Sequence, residues 1–293
     1  MRMLLFMHQR CGSLSVTQPF DLALSIEFLR GFSPMTGEQR LATGSIVKSW
    51  LHRGQPIEAT LTASARGVDY ALASPRPIDR AAEFAIADTA TRFLSADEDL
   101  APFYAMAERD DAFAPVARRL RGLHHVRFGT PFEAACWSVI NQRIGRAQAR
   151  AMKAALVRRF GAPNSDAFPE PAAMAHADER ELFALLGHQR KARALAAVTA
   201  AFAAVEPSWL HAAPLGDVER WLRAIWGVGD FAAAFVLFRG LGRAIALPWG
   251  PKFVTAAQAT YGARCDRAAL ERRAGAWGPW LGHWSLYLYA AAM

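Results

Sequence analysis

Cysteine is scarce in this chain: only Cys11, Cys136 and Cys265 occur, far apart and without a CxxC pair. That excludes a four-cysteine iron–sulfur run and the common zinc spacings, and an odd, sparse count fits a reducing compartment. Long apolar runs are also missing, and none approaches the roughly 20 residues needed to span a bilayer. The opening Met3-Leu4-Leu5-Phe6-Met7 is too short for a signal-peptide core and has no cleavage site. A soluble, cytoplasmic protein is expected, with no membrane partner. No tandem repeat and no low-complexity tract interrupts the 293 residues. Acids are the minority charge, 26 Asp and Glu against 34 Lys and Arg, for a formal net charge of +8. With 53% hydrophobic residues the chain has enough apolar material for a large core, which excludes disorder over most of its length. A basic globular protein of this kind points to a polyanionic partner, nucleic acid first.

The charge is concentrated. Between 117 and 161 lie ten basic residues, Arg118, Arg119, Arg121, Arg127, Arg143, Arg146, Arg150, Lys153, Arg158 and Arg159, against a single acid, Glu133. A second, acid-free stretch between Asp230 and Asp266 carries Arg239, Arg243, Lys252 and Arg264. Acids gather at Asp97-Glu98-Asp99 and again over 108–111, which reads as a connection between two domains.

Periodicity gives the elements. Ile57, Ala59 and Leu61 alternate with polar neighbours, as do Val68, Tyr70 and Leu72, and Ser64-Ala65-Arg66-Gly67 between them suits a hairpin turn. An amphipathic helix follows over 78–94. Phe132, Ala135, Cys136, Val139 and Ile140 share one helical face. A second helix is expected over 146–160, stopped by Gly161 and Pro163. Further helical stretches run over 182–186, 192–205, 221–225 and 231–241. The sum is an α+β chain, with a small antiparallel β/α domain over 1–96 and an all-α domain over 97–293.

Ile225-Trp226-Gly227-Val228-Gly229 joins two of those helical stretches. Glycines in such a turn tolerate positive φ and let the backbone approach another surface. The amides that follow open a helix N-terminus, which favours an anion such as a DNA phosphate. With this hairpin in place, the chain resembles the helix-hairpin-helix DNA glycosylases, in their bacterial 3-methyladenine DNA glycosylase II (alkylbase) branch. The resemblance runs in order through Gln18-Pro19-Phe20-Asp21 with Phe28-Leu29, Pro131-Phe132-Glu133-Ala134-Ala135, Ile140-Asn141-Gln142-Arg143, Leu186-Gly187 with Lys191-Ala192, the hairpin, and Trp277-Gly278-Pro279-Trp280.

The resemblance implies a TATA-binding-protein-like amino-terminal domain, two helical lobes around a base pocket, and a monomer acting on double-stranded DNA with damaged bases. It implies base-excision repair: the duplex is bent, a damaged nucleotide is flipped out, and its N-glycosidic bond is cut. DNA contacts are expected from Gln142, Arg143, Gly227, Val228, Gly229, Arg239 and Arg243, with Arg143 at the position of the wedge that fills the vacated stack. Pocket aromatics are expected at Phe28, Phe231, Phe235 and Tyr289, where a cationic alkylpurine would be held by cation–π attraction. No cofactor or metal is called for.

Three departures stand out. The family's catalytic aspartate follows an L-P step; here Leu247-Pro248 leads to Trp249-Gly250-Pro251, and Gly250 occupies the aspartate position. Asp230, next to the hairpin, would repel a phosphate, and Ala232 replaces a threonine. A glycosylase restricted to cationic lesions, which are already good leaving groups, is the expected function. The alternatives are a non-catalytic protein binding damaged or bent DNA, and a basic interaction protein serving RNA or acidic partners.

Overall fold

The computed structural model describes residues 8–243, 251–263 and 265–293. Strand β1 (His8–Leu14) and helix α1 (Leu22–Gly31) lead into β2 (Arg40–Ala42), β3 (Ser45–His52), β4 (Gln55–Ser64), β5 (Gly67–Ser74) and helix α2 (Arg80–Leu94). The strands form one antiparallel sheet in the order β1-β5-β4-β3-β2. Strand alternation fixes which face is covered. Ile57, Ala59 and Leu61 stand opposite Trp50, Lys48 and Ile46, and Ala59 also faces Leu72. All are buried there, and all but Lys48 are apolar. Helices α1 and α2 cover this face, with Phe93 edge-on to Trp50 at 5.5 Å between ring centroids. Ser64 pairs with Gly67, so Ala65-Arg66 is the two-residue loop of the expected hairpin.

Helices make up the rest: α3 (Ala101–Ala107), α4 (Ala114–Arg119), α5 (Pro131–Ile140), α6 (Arg146–Phe160), α7 (Pro171–Met174), α8 (Glu179–Leu186), α9 (Gln189–Ala204), α10 (Pro207–Ala212), α11 (Leu215–Ala224), α12 (Asp230–Phe235), α13 (Pro251–Tyr261), α14 (Arg267–Gly275) and α15 (Leu281–Ala291). The acidic stretch expected as a plain connection contains α3 instead. Its Phe103 and Tyr104 are buried against the Trp277 and Tyr287 rings, because the acids sit outside an apolar helical face. Helix α5 is the central one: every residue from Phe132 to Ile140 is buried. Thr130 caps it, accepting a hydrogen bond from the Glu133 amide at 3.0 Å. No helix among the described residues is long and apolar enough to cross a membrane.

A buried charge cluster fastens the sheet to the helices. Lys153 of α6 donates to Glu133 Oε1 at 2.6 Å and to Glu38, while Lys48 of β3 lies 3.9 Å from Glu38. Lys48, Glu133 and Lys153 are each at most 5% exposed. Burial pushes the Glu38 carboxyl up to about 7, against the attraction of Lys153. Glu133 moves the other way, to about 2, because Lys153 and Lys48 beside it outweigh its own burial. The folded state therefore keeps the Glu38 proton above about 4.5, where the unfolded chain releases it. Stability from this group is fully present below that pH and is lost as pH rises through 7. Glu38→Gln removes this dependence, so wild type loses stability relative to the variant between pH 5 and pH 8 in urea unfolding. A gap that stays constant across that range contradicts the assignment.

Candidate nucleic-acid interface and base pocket

Helices α11 and α12 meet at the 225–229 turn, whose two glycines do different work. Gly227 has φ +89°, and a Cβ there would lie 2.5 Å from the Ala194 Cβ of α9. Both the backbone and the packing require glycine. Gly229 has φ −88°, ordinary extended backbone, with open space in front of it. Val228 is buried and its amide donates to Ile225 O at 3.0 Å, so it anchors the turn in the core. Asp230 is exposed and pairs with Arg223 at 3.3 Å, which offsets part of the repulsion expected from it.

The 141–145 loop lies against this hairpin. Gln142 Nε2 donates to Gly227 O at 3.1 Å. Lys191, at the start of α9, donates to Gln142 O at 2.6 Å and to Val139 O at 3.4 Å, closing the C-terminus of α5. Arg143 is exposed and holds φ +55°. A left-handed non-glycine backbone costs about 1–2 kcal/mol, and such strain concentrates at functional positions. Beside the loop, the exposed Trp226 indole is flanked by Arg193, 4.4 Å from its ring, and Arg190, 6.0 Å away. Loop, hairpin and the start of α9 thus form one surface that presents Arg143, Arg190, Arg193 and an indole.

The other basic residues of 117–161 do not all join it. Arg118 and Arg159 pair with Glu108 and Glu181. Lys153 is spent on the buried cluster. Arg127 is half-buried, donating to Ser95 Oγ and Leu241 O. Arg146 and Arg150 donate to Ser33 at the end of α1. A linear count of charge does not see these partners.

Three of the four matched aromatics, Phe28, Phe231 and Phe235, lie along one row of rings. Phe28 stacks on Phe32 at 5.2 Å, Phe32 meets Phe128 at 6.3 Å, Phe128 meets Phe235 at 5.5 Å, and Phe235 stacks with Phe231 at 6.3 Å. Phe231, at the outer end, is 52% exposed. Past Phe235 the helix widens into a π-turn over 236–240, where the Leu241 amide bonds Val236 O at 2.9 Å. Such turns recur at functional sites because they re-aim a side chain.

Arg239, carried by that turn, corrects an expectation. It is 4% exposed, with its guanidinium carbon 5.1 Å from the Phe28 ring and 4.7 Å from Phe32, so it lies within the aromatic row. It cannot reach a phosphate on the surface. Among the described residues its guanidinium makes one hydrogen bond, to Val126 O at 3.4 Å, and no ion pair. Burial pushes its pKa down to about 9, with Tyr289 partly opposing that drop. Arg243 also turns inward, donating to the carbonyls of Leu210, His211 and Ala213 at the end of α10. Those acceptors, orphaned at a helix C-terminus, are what draws it away from DNA.

A cavity of about 250 Å³ between β3, α2 and the 127–133 segment shares Phe128 with the row but includes none of Phe28, Phe231, Phe235 or Tyr289. It is distinct from the aromatic row. Among the described residues no three His, Cys, Asp or Glu side chains group as metal ligands.

No family model matches the chain. It is 29% identical over 181 residues to a DNA-3-methyladenine glycosylase of Bacillus subtilis, a stretch that is 59% of this chain and 60% of that protein. The chain thus spans less than two thirds of the curated relative it matches. Among solved structures it superposes on a 3-methyladenine DNA glycosylase of Archaeoglobus fulgidus with a TM-score of 0.76, at 16% identity, covering 96% of this chain and 97% of that one. A Clostridium acetobutylicum 8-oxoguanine glycosylase/lyase bound to double-stranded DNA gives 0.66, at 14% identity, covering 93% and 91%. The chain thus has the fold of these DNA glycosylases.

Gly250 and the neighbouring Trp249 lie outside the described residues. His283 is 1% exposed and bonded to Glu98 at 3.0 Å. Trp284 is core, donating to Tyr261 Oη at 2.8 Å. Sequence reasoning did not single out Phe32, Phe128, Trp226, Arg190 or Arg193. The one available signal was that Arg190 and Arg193 sit three residues apart beside Lys191, on one turn of a helix.

Proposed function

We propose that this protein is a DNA N-glycosylase of base-excision repair. It grips duplex DNA with the 141–145 loop and the hairpin, inserts Arg143 into the stack, and receives the flipped base against Phe28, Phe231, Phe235 and Tyr289. The observation that carries this is the Gln142–Gly227 hydrogen bond, which joins wedge and hairpin into one surface beside the aromatic row. An arginine wedge has both a flat face for stacking and donors for phosphate.

The resemblance implies cationic N3- or N7-alkylpurines as lesions. Arg239 weighs against them. Two unit charges about 4 Å apart at an effective dielectric near 20 repel by about 4 kcal/mol. An aromatic face returns only about 1–2 kcal/mol. The absence of an aspartate after Leu247-Pro248 favours a second reading, a protein of the same fold that binds damaged DNA without hydrolysis.

The test is incubation with duplexes carrying single alkylated, deaminated or oxidised bases, with detection of free base. Release above the spontaneous rate excludes the binding-only reading. Damage-selective binding without release of any base, even by Gly250→Asp, excludes the enzyme. Arg143→Ala is expected to weaken damaged-duplex binding by about tenfold while leaving the melting temperature unchanged, since the side chain is exposed. Equal affinity of the two proteins in a fluorescence-anisotropy titration removes Arg143 as the wedge.

A further inference from the structure

Arg239 is a charge inside an aromatic row, and the chain gives it no acid. Asp and Glu are absent from positions 1–7, 244–250 and 264, and among the described residues no ion pair reaches it. A buried cation without a counter-charge is unfavourable unless something with acceptor atoms meets it. Its neighbours Phe28, Phe32 and Phe238, at 5.1, 4.7 and 5.2 Å, hold the guanidinium by their faces and leave most of its five N–H donors unused. A second positive charge on those same faces meets like charge in a desolvated site.

We propose that Arg239 sets the lesion class, selecting a neutral base with an exocyclic carbonyl, such as a 6-oxopurine, over a cationic alkylpurine. The guanidinium donates hydrogen bonds to the carbonyl oxygen of the flipped base. The same contact serves release. When the N-glycosidic bond breaks, its electron pair goes to the base nitrogen and spreads to the carbonyl oxygen facing Arg239. Water adds its hydroxide to the sugar carbon and gives its proton to the departing base. A cationic base leaves neutral and develops no such charge, so the guanidinium helps only the neutral class. This inference rests on the proposed pocket and reverses the lesion preference that the resemblance implied.

The experiment compares affinities for duplexes holding hypoxanthine, 7-methylguanine or unmodified guanine at one position, as 2′-fluoro nucleotides so that no base is lost. Wild type is expected to bind the hypoxanthine duplex about tenfold or more tighter than the 7-methylguanine duplex. In Arg239→Met that ratio collapses to about one or inverts, and in Arg239→Lys its direction is kept. A wild-type preference for 7-methylguanine overturns the inference and leaves the glycosylase reading standing. So does an unchanged ratio in a folded Arg239→Met protein. If Arg239→Met does not fold, the wild-type ratio decides alone. If neither damaged duplex binds more tightly than the unmodified one, the pocket itself is wrong and both readings fall.

Discussion

Lys153→Met is expected to lower the unfolding free energy by about 3–5 kcal/mol, the usual penalty for stripping one partner from a buried ion pair. Glu133 would stay 2% exposed with a carboxylate offset only by Lys48 and by its hydrogen bond to Glu38. Lys153 also lies over the rings of Phe128, Trp137 and Phe168, at 4.8, 5.8 and 5.5 Å, and methionine replaces much of that apolar contact. Lost packing therefore explains little of the effect, and the stranded charge explains most of it. The double variant Lys153→Met with Glu133→Gln is expected to recover a large part of the loss, because no charge is left behind. Urea unfolding of wild type, single and double variants measures this. A single variant within about 1 kcal/mol of wild type shows that the cluster contributes only as a weak pair does.

Gly227→Ala has the second largest expected effect, about 2–5 kcal/mol. A left-handed backbone costs an alanine about 1–2 kcal/mol. The new methyl would sit 2.5 Å from Ala194 Cβ, and overpacking of that kind adds about 1–3 kcal/mol. The strain falls on the segment whose carbonyl receives Gln142, so duplex affinity is expected to drop with stability. Gly229→Ala is the contrast. Its backbone is ordinary and its surroundings are open, so stability is expected to stay within about 0.5 kcal/mol. Thermal melts of the two variants, with duplex affinity at one fixed salt concentration, separate them. Equal destabilisation by both substitutions refutes the distinction drawn between the two glycines.

Both variants bear on how much was legible in the sequence. The alternation at 57–61 and 68–72 became β4 and β5, with the turn where Ser64 to Gly67 placed it. The helix expected over 146–160 is α6 to the residue. These readings depend on local periodicity and on local stop signals, both of which the sequence contains directly. The order of motifs likewise located the hairpin, and of its four matched aromatics Phe28, Phe231 and Phe235 lie along one row.

Charge was read less well. The sum of +8 pointed to a polyanion, but its assignment to one face did not survive partners far away in sequence. Lys153 meets Glu133 and Glu38, 20 and 115 residues distant, and Arg243 meets carbonyls about 30 residues back. Arg239 looked like one more cation in an acid-free stretch until the π-turn swung it into the aromatic row.

The sequence by itself determined the β4–β5 hairpin, helices α2, α5 and α6 and the glycine turn, because backbone conformation follows from side chains within a turn or two. It also determined that no aspartate follows Leu247-Pro248. Only the tertiary structure decided which cations face outward, which glycine is indispensable, and that a positive charge lies within the aromatic row. Those are properties of contacts between residues far apart in the chain, where burial and low dielectric set the sign and size of each interaction.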